Sequence, residues 1–128
     1  MNLLLDTHVL LWAAVEPEKL PSEAGGFILD ESNQLWFSAA SVWEVAIKAS
    51  LGRADFDIDP HLLRRGLIEN GYSELPVTSA HAAAVHHLPE LHKDPFDRIL
   101  VAQAEYEGML LLTADARVSQ YPGPIRRI

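Results

Sequence analysis

The sequence contains no cysteine, and that absence removes several chemistries at once. A disulfide scaffold, a thiolate zinc site and a cysteine nucleophile are excluded, and the composition suits a reducing compartment, so a cytoplasmic location is expected. Long apolar runs are also missing. None approaches the ~18 residues needed to span a bilayer, so no membrane association is expected. The opening M-N-L-L-L-D-T-H has neither the basic start nor the cleavage site of a secretory signal, and Asp6 interrupts its apolar run. A phosphate-binding glycine loop is absent too: Gly25-Gly26 lies inside a helical pattern, without G-x-G-x-x-G or P-loop spacing. Ser38 and Ser41 lack the G-x-S-x-G context of a nucleophile elbow. Basic residues are scarce, with ten Lys and Arg against eighteen Asp and Glu, a net charge of −8. A polyanion partner normally calls for a basic surface. Either nucleic acid is not the ligand, or some of the acids are gathered where a cation offsets them.

What is present reads as one α/β domain over residues 1–128. Hydrophobic residues make up 48% and charged residues 22%, a globular mix. A chain of this size buries roughly two-thirds of its unfolded surface. Short apolar or β-prone runs at Leu3–Leu5, Leu35–Phe37, Tyr72–Val77, Met109–Thr113 and Ile125–Ile128 alternate with helical patterns. The helices are expected at His8–Val15, Pro21–Glu31, from Val42 to Gly52, from Pro60 to Gly71, at Thr78–Leu88 and at Pro95–Glu107. Val42, Val45, Ala46 and Ala49 recur at helical spacing, with Ser38 or Ser41 as the cap. Trp12, Trp36 and Trp43 sit among apolar neighbours and are expected in the core. Strands alternating with helices predict a mostly parallel sheet covered on both faces.

In an open parallel sheet, ligands bind beyond the carboxyl ends of the strands. Asp6 directly follows the first apolar run, Asp115 follows Leu110–Thr113 after one residue, and Asp97 lies in the first turn of the longest helix. Glu44 sits among Val42, Trp43, Val45 and Ala46, where an unpaired carboxylate is costly. Four acids converging from separate segments make a hard-oxygen site suited to Mg²⁺ or Mn²⁺. Each also has a local explanation. Asp6-Thr7 can cap a helix, Glu44 precedes Lys48 by four residues as in a helical ion pair, and Asp115 can cap a terminal turn. In Asp94-Pro95-Phe96-Asp97, Asp94 is the natural N-cap, and the helix dipole is expected to keep Asp97 ionised. His81, His86, His87 and His92 show no H-x-x-x-H or H-E-x-x-H spacing and read as surface or packing residues.

The segments L-L-L-D-T-H-V-L-L-W, S-A-A-S-V-W-E-V-A-I-K, H-K-D-P-F-D-R-I-L-V-A-Q-A and L-L-T-A-D-A-R-V resemble the PIN-domain nucleases, in particular the VapC-like toxins of prokaryotic toxin–antitoxin pairs. The resemblance runs from Asn2 to about Tyr121, with the segments in family order. It implies a three-layer α/β/α fold and Mg²⁺- or Mn²⁺-dependent RNA cleavage by an acidic quartet. That quartet maps onto Asp6, Glu44, Asp97 and Asp115, with Asp6 and Asp97 as principal ligands; Thr7 and Thr113 match positions beside the acids. Lys48, Lys93 and Arg98 lie near the motifs as candidate RNA-backbone contacts or, alternatively, as salt-bridge partners.

Two other readings are weighed against this one. A haloacid-dehalogenase-type phosphatase also places an Asp after its first strand, but it needs D-x-D, and His8 stands at the second position. A non-catalytic PIN-fold interaction module would keep the acids for structure alone. The expected partners are RNA, a cognate antitoxin and a second copy of the chain. Leu10, Leu11, Trp12, Leu20, Phe27 and Ile28 on the first two helices exceed what a small sheet is expected to cover, leaving an interaction patch.

Overall fold

The computed structural model describes residues 1–53 and 56–128. Strand β1 (Asn2–Leu5) leads into α1 (Thr7–Val15) and, after a single 3₁₀ turn, α2 (Ser22–Ile28). Then come β2 (Gln34–Ser38), α3 (Ala39–Ser50), α4 (Pro60–Glu69), β3 (Ser73–Leu75), α5 (Ser79–Ala84), α6 (Pro95–Glu107), β4 (Leu110–Thr113) and β5 (Ile125–Arg127). The strands form one sheet in the order β3-β2-β1-β4-β5. Every neighbouring pair is parallel, with Leu4 opposite Trp36 on one side and Leu111 on the other.

Strand alternation explains the layers. Leu3 and Leu5 of β1 face one way with Leu112, against Val9 and Leu10 of α1, Val45 of α3, and Leu63 and Leu67 of α4. Leu4 faces the other way with Leu111, against Leu100, Val101 and Ala104 of α6 and the buried Tyr121. With helices on both faces, the central strands become continuous leucine runs, the expected three-layer α/β/α arrangement. Among the described residues, no helix is long and apolar enough to cross a membrane.

Three expectations change. The fifth helical pattern closes early: α5 is six residues long and gives way to a 3₁₀ turn at Val85–His87. None of the three tryptophans is fully buried; Trp43 is 63% exposed, with its ring edge against Phe96. The buried stripe of α3 is also rotated. Ala40, Ser41, Glu44 and Val45 face inward, and Ala46 and Ala49 only partly so. Residues 40, 41, 44 and 45 follow helical spacing as well as the apolar set does. The stripe that wins is the one that places Ser41 Oγ 2.9 Å from the Thr7 hydroxyl.

Candidate active site

The strand order reverses beside β1: β2 and β3 extend to one side, β4 and β5 to the other. In open α/β sheets, ligands bind beyond the carboxyl ends of the strands at such a reversal, here the ends of β1 and β4. Asp6 and Thr113 lie there, both buried.

Asp6 directly follows β1 and caps α1, its Oδ1 accepting the Val9 N–H at 2.9 Å. Thr113, the last residue of β4, donates its hydroxyl to Asp6 Oδ2 at 2.5 Å and accepts the Asp115 N–H at 3.0 Å. One threonine therefore ties the acid of the first strand to the acid after the fourth. Asp6 is almost wholly buried, and burial pushes its carboxyl above the ordinary range. The Thr113 and Val9 hydrogen bonds pull the other way, and the Asp115 charge adds to the rise.

Asp115 caps the short turn after β4, accepting the Arg117 N–H at 2.7 Å. Asp94 caps α6, accepting the Phe96 and Asp97 N–H groups at 2.8 and 3.3 Å, as the D-P-F-D spacing predicts. The expectation for Asp97 is reversed. Its carboxyl is pushed up to about 6, first by burial, then by the neighbouring Asp94 charge; Asp6 also contributes. Desolvation and two like charges outweigh the favourable helix end, whose effect is typically only 0.3–1 kcal/mol.

Glu44 is buried on α3 and pairs through Oε2 with Lys48 at 3.0 Å. Its Oε1 is buried with no hydrogen-bond partner among the described residues. A carboxylate oxygen left bare in this way is costly, and a bound cation would satisfy it. Glu44 and Asp94 line the same cavity of about 410 Å³, together with Lys48 and Lys93.

His92 is the functional candidate that sequence spacing misses. Its Nε2 lies 2.8 Å from Asp97 Oδ2, and candidate ligand atoms of His92, Asp94 and Asp97 all lie within 4.8 Å of one another. Asp6, Glu44 and Asp115 stand outside that tight group. The only available signal was proximity to the D-P-F-D helix start, because paired-histidine spacings cannot detect a histidine that meets a carboxylate. His81 packs in the core, its Nε2 2.7 Å from Glu107. Arg98, a candidate RNA contact, is engaged structurally: Nη1 donates to Pro89 O at 2.9 Å and to the Tyr121 hydroxyl at 3.1 Å.

The donor set is dominated by carboxylate oxygen, with one imidazole at its edge. With an orphaned buried carboxylate oxygen, it fits a hard or borderline divalent cation such as Mg²⁺ or Mn²⁺.

Comparison with known proteins supports the fold. Over 124 residues, 96% of the chain, it is 31% identical to Ribonuclease VapC22 of Mycobacterium tuberculosis, covering 94% of that protein. Its fold is similar to a VapBC2 structure from Rickettsia felis bound to promoter DNA, with TM-score 0.72, 14% identity, and 99% and 98% of the two chains covered. It is similar also to DNA-bound VapBC from Salmonella typhimurium, with TM-score 0.67, 15% identity and the same coverage of each chain. The PIN domain family model matches residues 3–124. The chain, with its parallel five-stranded sheet and acids gathered at the point where strand order reverses, belongs to the PIN domain family.

Proposed function

We propose that this protein is a Mg²⁺- or Mn²⁺-dependent endoribonuclease, a single cytoplasmic PIN domain of residues 1–128 acting as the toxin of a toxin–antitoxin pair. The observation that carries the reading is the junction of β1 and β4, where Thr113 joins Asp6 to Asp115 and the Asp6 charge reaches Asp97. The 31% identity to a protein named as a ribonuclease supports RNA as the substrate class.

Asp6 and Asp97 would hold the metal, with Glu44 and Asp115 completing the set directly or through water. When bound, a divalent cation acidifies a water and offsets charge on the phosphodiester oxygens. Thr113 orients Asp6 and keeps one carboxylate oxygen engaged. Glu44 brings a buried negative charge that Lys48 only half satisfies. Lys93, on the cavity shared with Glu44 and Asp94, is placed to meet a phosphate. The charge of −8 is consistent with RNA as substrate, since the polyanion meets the acids only where a cation has offset them.

The antitoxin reading is supported by a cleft of about 650 Å³ between α1, α2 and α4. Leu10 is fully buried, and Leu11, Leu20, Phe27 and Ile28 are partly covered. Apolar surface nevertheless remains at Val15, Leu29 and Leu62, exposed by 51, 81 and 59%. The antitoxin would block cleavage by placing an Arg or Lys among the four acids. The toxin itself would form a homodimer.

The test is cleavage of a structured RNA by purified protein with Mg²⁺, with Mn²⁺ and with a chelator. Cleavage that needs the metal and vanishes in folded Asp97→Asn is the expected result. Full activity in that variant rejects the reading.

A further inference from the structure

Residues 88–94, which lead from the turn after α5 into α6, contain no helix or strand. They are nonetheless fastened at His92. The His92 carbonyl accepts the Tyr121 hydroxyl at 3.3 Å and Arg98 Nη1 at 3.5 Å. Arg98 Nη1 also donates to the Tyr121 hydroxyl and to Pro89 O, and Nη2 donates to Val85 O at 3.4 Å. The guanidinium lies 6.0 Å from the centroid of the Tyr121 ring, which is itself buried in the core. The clamp thus ties an irregular segment to the sheet side of the molecule and holds one imidazole against one carboxylate.

That carboxylate is Asp97, and the contact is 2.8 Å between two side chains only 12% and 19% exposed. Asp94, the third member of the group, already accepts two backbone N–H groups through Oδ1. Both neighbours therefore act on Asp97. An aspartate in a first helical turn has freedom about its side-chain torsions. One N–H donor on Oδ2 removes that freedom and leaves Oδ1 available. Ligating carboxylates are commonly held by such outer hydrogen bonds, and losing one typically weakens metal binding by ~10–100-fold.

We propose that His92 is a positioning residue of the metal site: Nε2–H holds Asp97 Oδ2 and leaves Oδ1 for the cation, while Arg98 and Tyr121 hold His92. The inference rests on Asp97 being a metal ligand. The probe is Mn²⁺ alone, titrated into the metal-free full chain at neutral pH, with affinity read by calorimetry and by loss of the free-ion EPR signal. His92→Ala is expected to weaken Mn²⁺ binding by ~10–100-fold in a protein that still folds. His92→Phe, which keeps a ring and removes the donor, is expected to show the same loss, so the test survives if the alanine variant does not fold. His92→Gln restores an N–H at similar reach and is expected to recover most of the affinity. Tyr121→Phe loosens the clamp and should give a smaller loss in the same direction.

A purely structural His92 would lower the melting temperature of the metal-free protein and leave Mn²⁺ affinity intact, which overturns the proposal. A directly bound imidazole ¹⁴N coupling in pulsed EPR of the Mn²⁺ form, lost in His92→Ala, makes His92 a ligand and also overturns it. Asp97→Asn separates the two levels. If it loses Mn²⁺ and His92→Ala does not, only the positioning role fails; if Asp97→Asn binds normally, the assignment of Asp97 as a ligand fails with it.

Discussion

The junctions β1–α1 and β2–α3 are built alike and treat their acids differently. Each strand runs straight into a helix whose first turn is capped by the residue at the junction. At β1–α1 that cap is Asp6 itself, with both carboxylate oxygens occupied, one by Val9 N–H and the other by Thr113. At β2–α3 the cap is Ser38, which accepts the Ala40 N–H and donates to Gln103 Oε1, and the acid comes six residues later as Glu44. Glu44 has one oxygen on Lys48 and the other bare. An acid that doubles as a cap is held by local structure whether or not a metal arrives. An acid buried mid-helix relies on its partners, so its bare oxygen is a standing cost to the fold.

The largest test of that contrast is catalytic. Asp6→Asn and Asp97→Asn should each reduce metal-dependent RNA cleavage by more than about 100-fold, read in initial rates with folded protein verified by circular dichroism. Asparagine is still a good N-cap, so Asp6→Asn should leave metal-free stability unchanged or raised. Metal-free Asp6→Asn melting well below the wild type would show that the carboxylate oxygen held by Thr113 supports the fold itself.

Glu44→Gln should have the second-largest effect, lowering cleavage by roughly 10-fold while leaving metal-free stability equal or higher, because a buried carboxylate with one oxygen on Lys48 and the other bare becomes neutral. Calorimetric melting of the metal-free protein and cleavage rates together check this. A large loss of stability would mean that the Lys48 ion pair outweighs the bare oxygen.

The third effect is pH dependence. The folded-state value of Asp97, about 6, lies above its ordinary value of 3.8. A group raised in this way contributes stability that is full below the unfolded value and is lost as pH rises through the folded one. Metal-free protein should therefore lose stability between about pH 4 and pH 7 through this group, and the loss should be absent in Asp97→Asn. Millimolar Mg²⁺ should raise the melting temperature by several degrees at pH 8 and far less at pH 5, where the carboxyl holds its proton. Thermal melts across that range in wild type and variant settle the sign.

The smallest effect belongs to the cap at the second junction. Ser38→Ala removes the Ala40 and Gln103 hydrogen bonds and should cost about 1–2 kcal/mol, seen in urea unfolding, with little change in cleavage. A matching loss of activity would mean that the start of α3 positions Glu44 more tightly than the comparison implies.

The two junctions also mark how far the chain can be read without its structure. Asp6, Asp94 and Asp115 were legible because capping is local: a short polar side chain beside a helix start meets N–H groups two or three residues on. The leucine runs of β1 and β4 were legible because central parallel strands are apolar on both faces. Glu44–Lys48 followed from four-residue spacing.

His92 and the true inner face of α3 were not legible. Two stripes on α3 satisfy helical periodicity, and only docking beside Thr7 selects the one that buries Ser41 and Glu44. The ionisation of Asp97 is not legible for a related reason. The helix end and Asp94 are visible in sequence, whereas the burial is a product of the fold and a further raising charge comes from Asp6, ninety-one positions away.

Sequence by itself determined the alternation of strands and helices, the capped helix starts and the Glu44–Lys48 pair, all consequences of neighbours a few residues apart. Tertiary structure alone decided which strand adjoins which, and with it the Thr113 hydrogen bond to Asp6 and the Tyr121 hold on Arg98 and His92. Those contacts join residues far apart in the chain, and desolvation and Coulomb energies depend on separation in space, which no local pattern encodes.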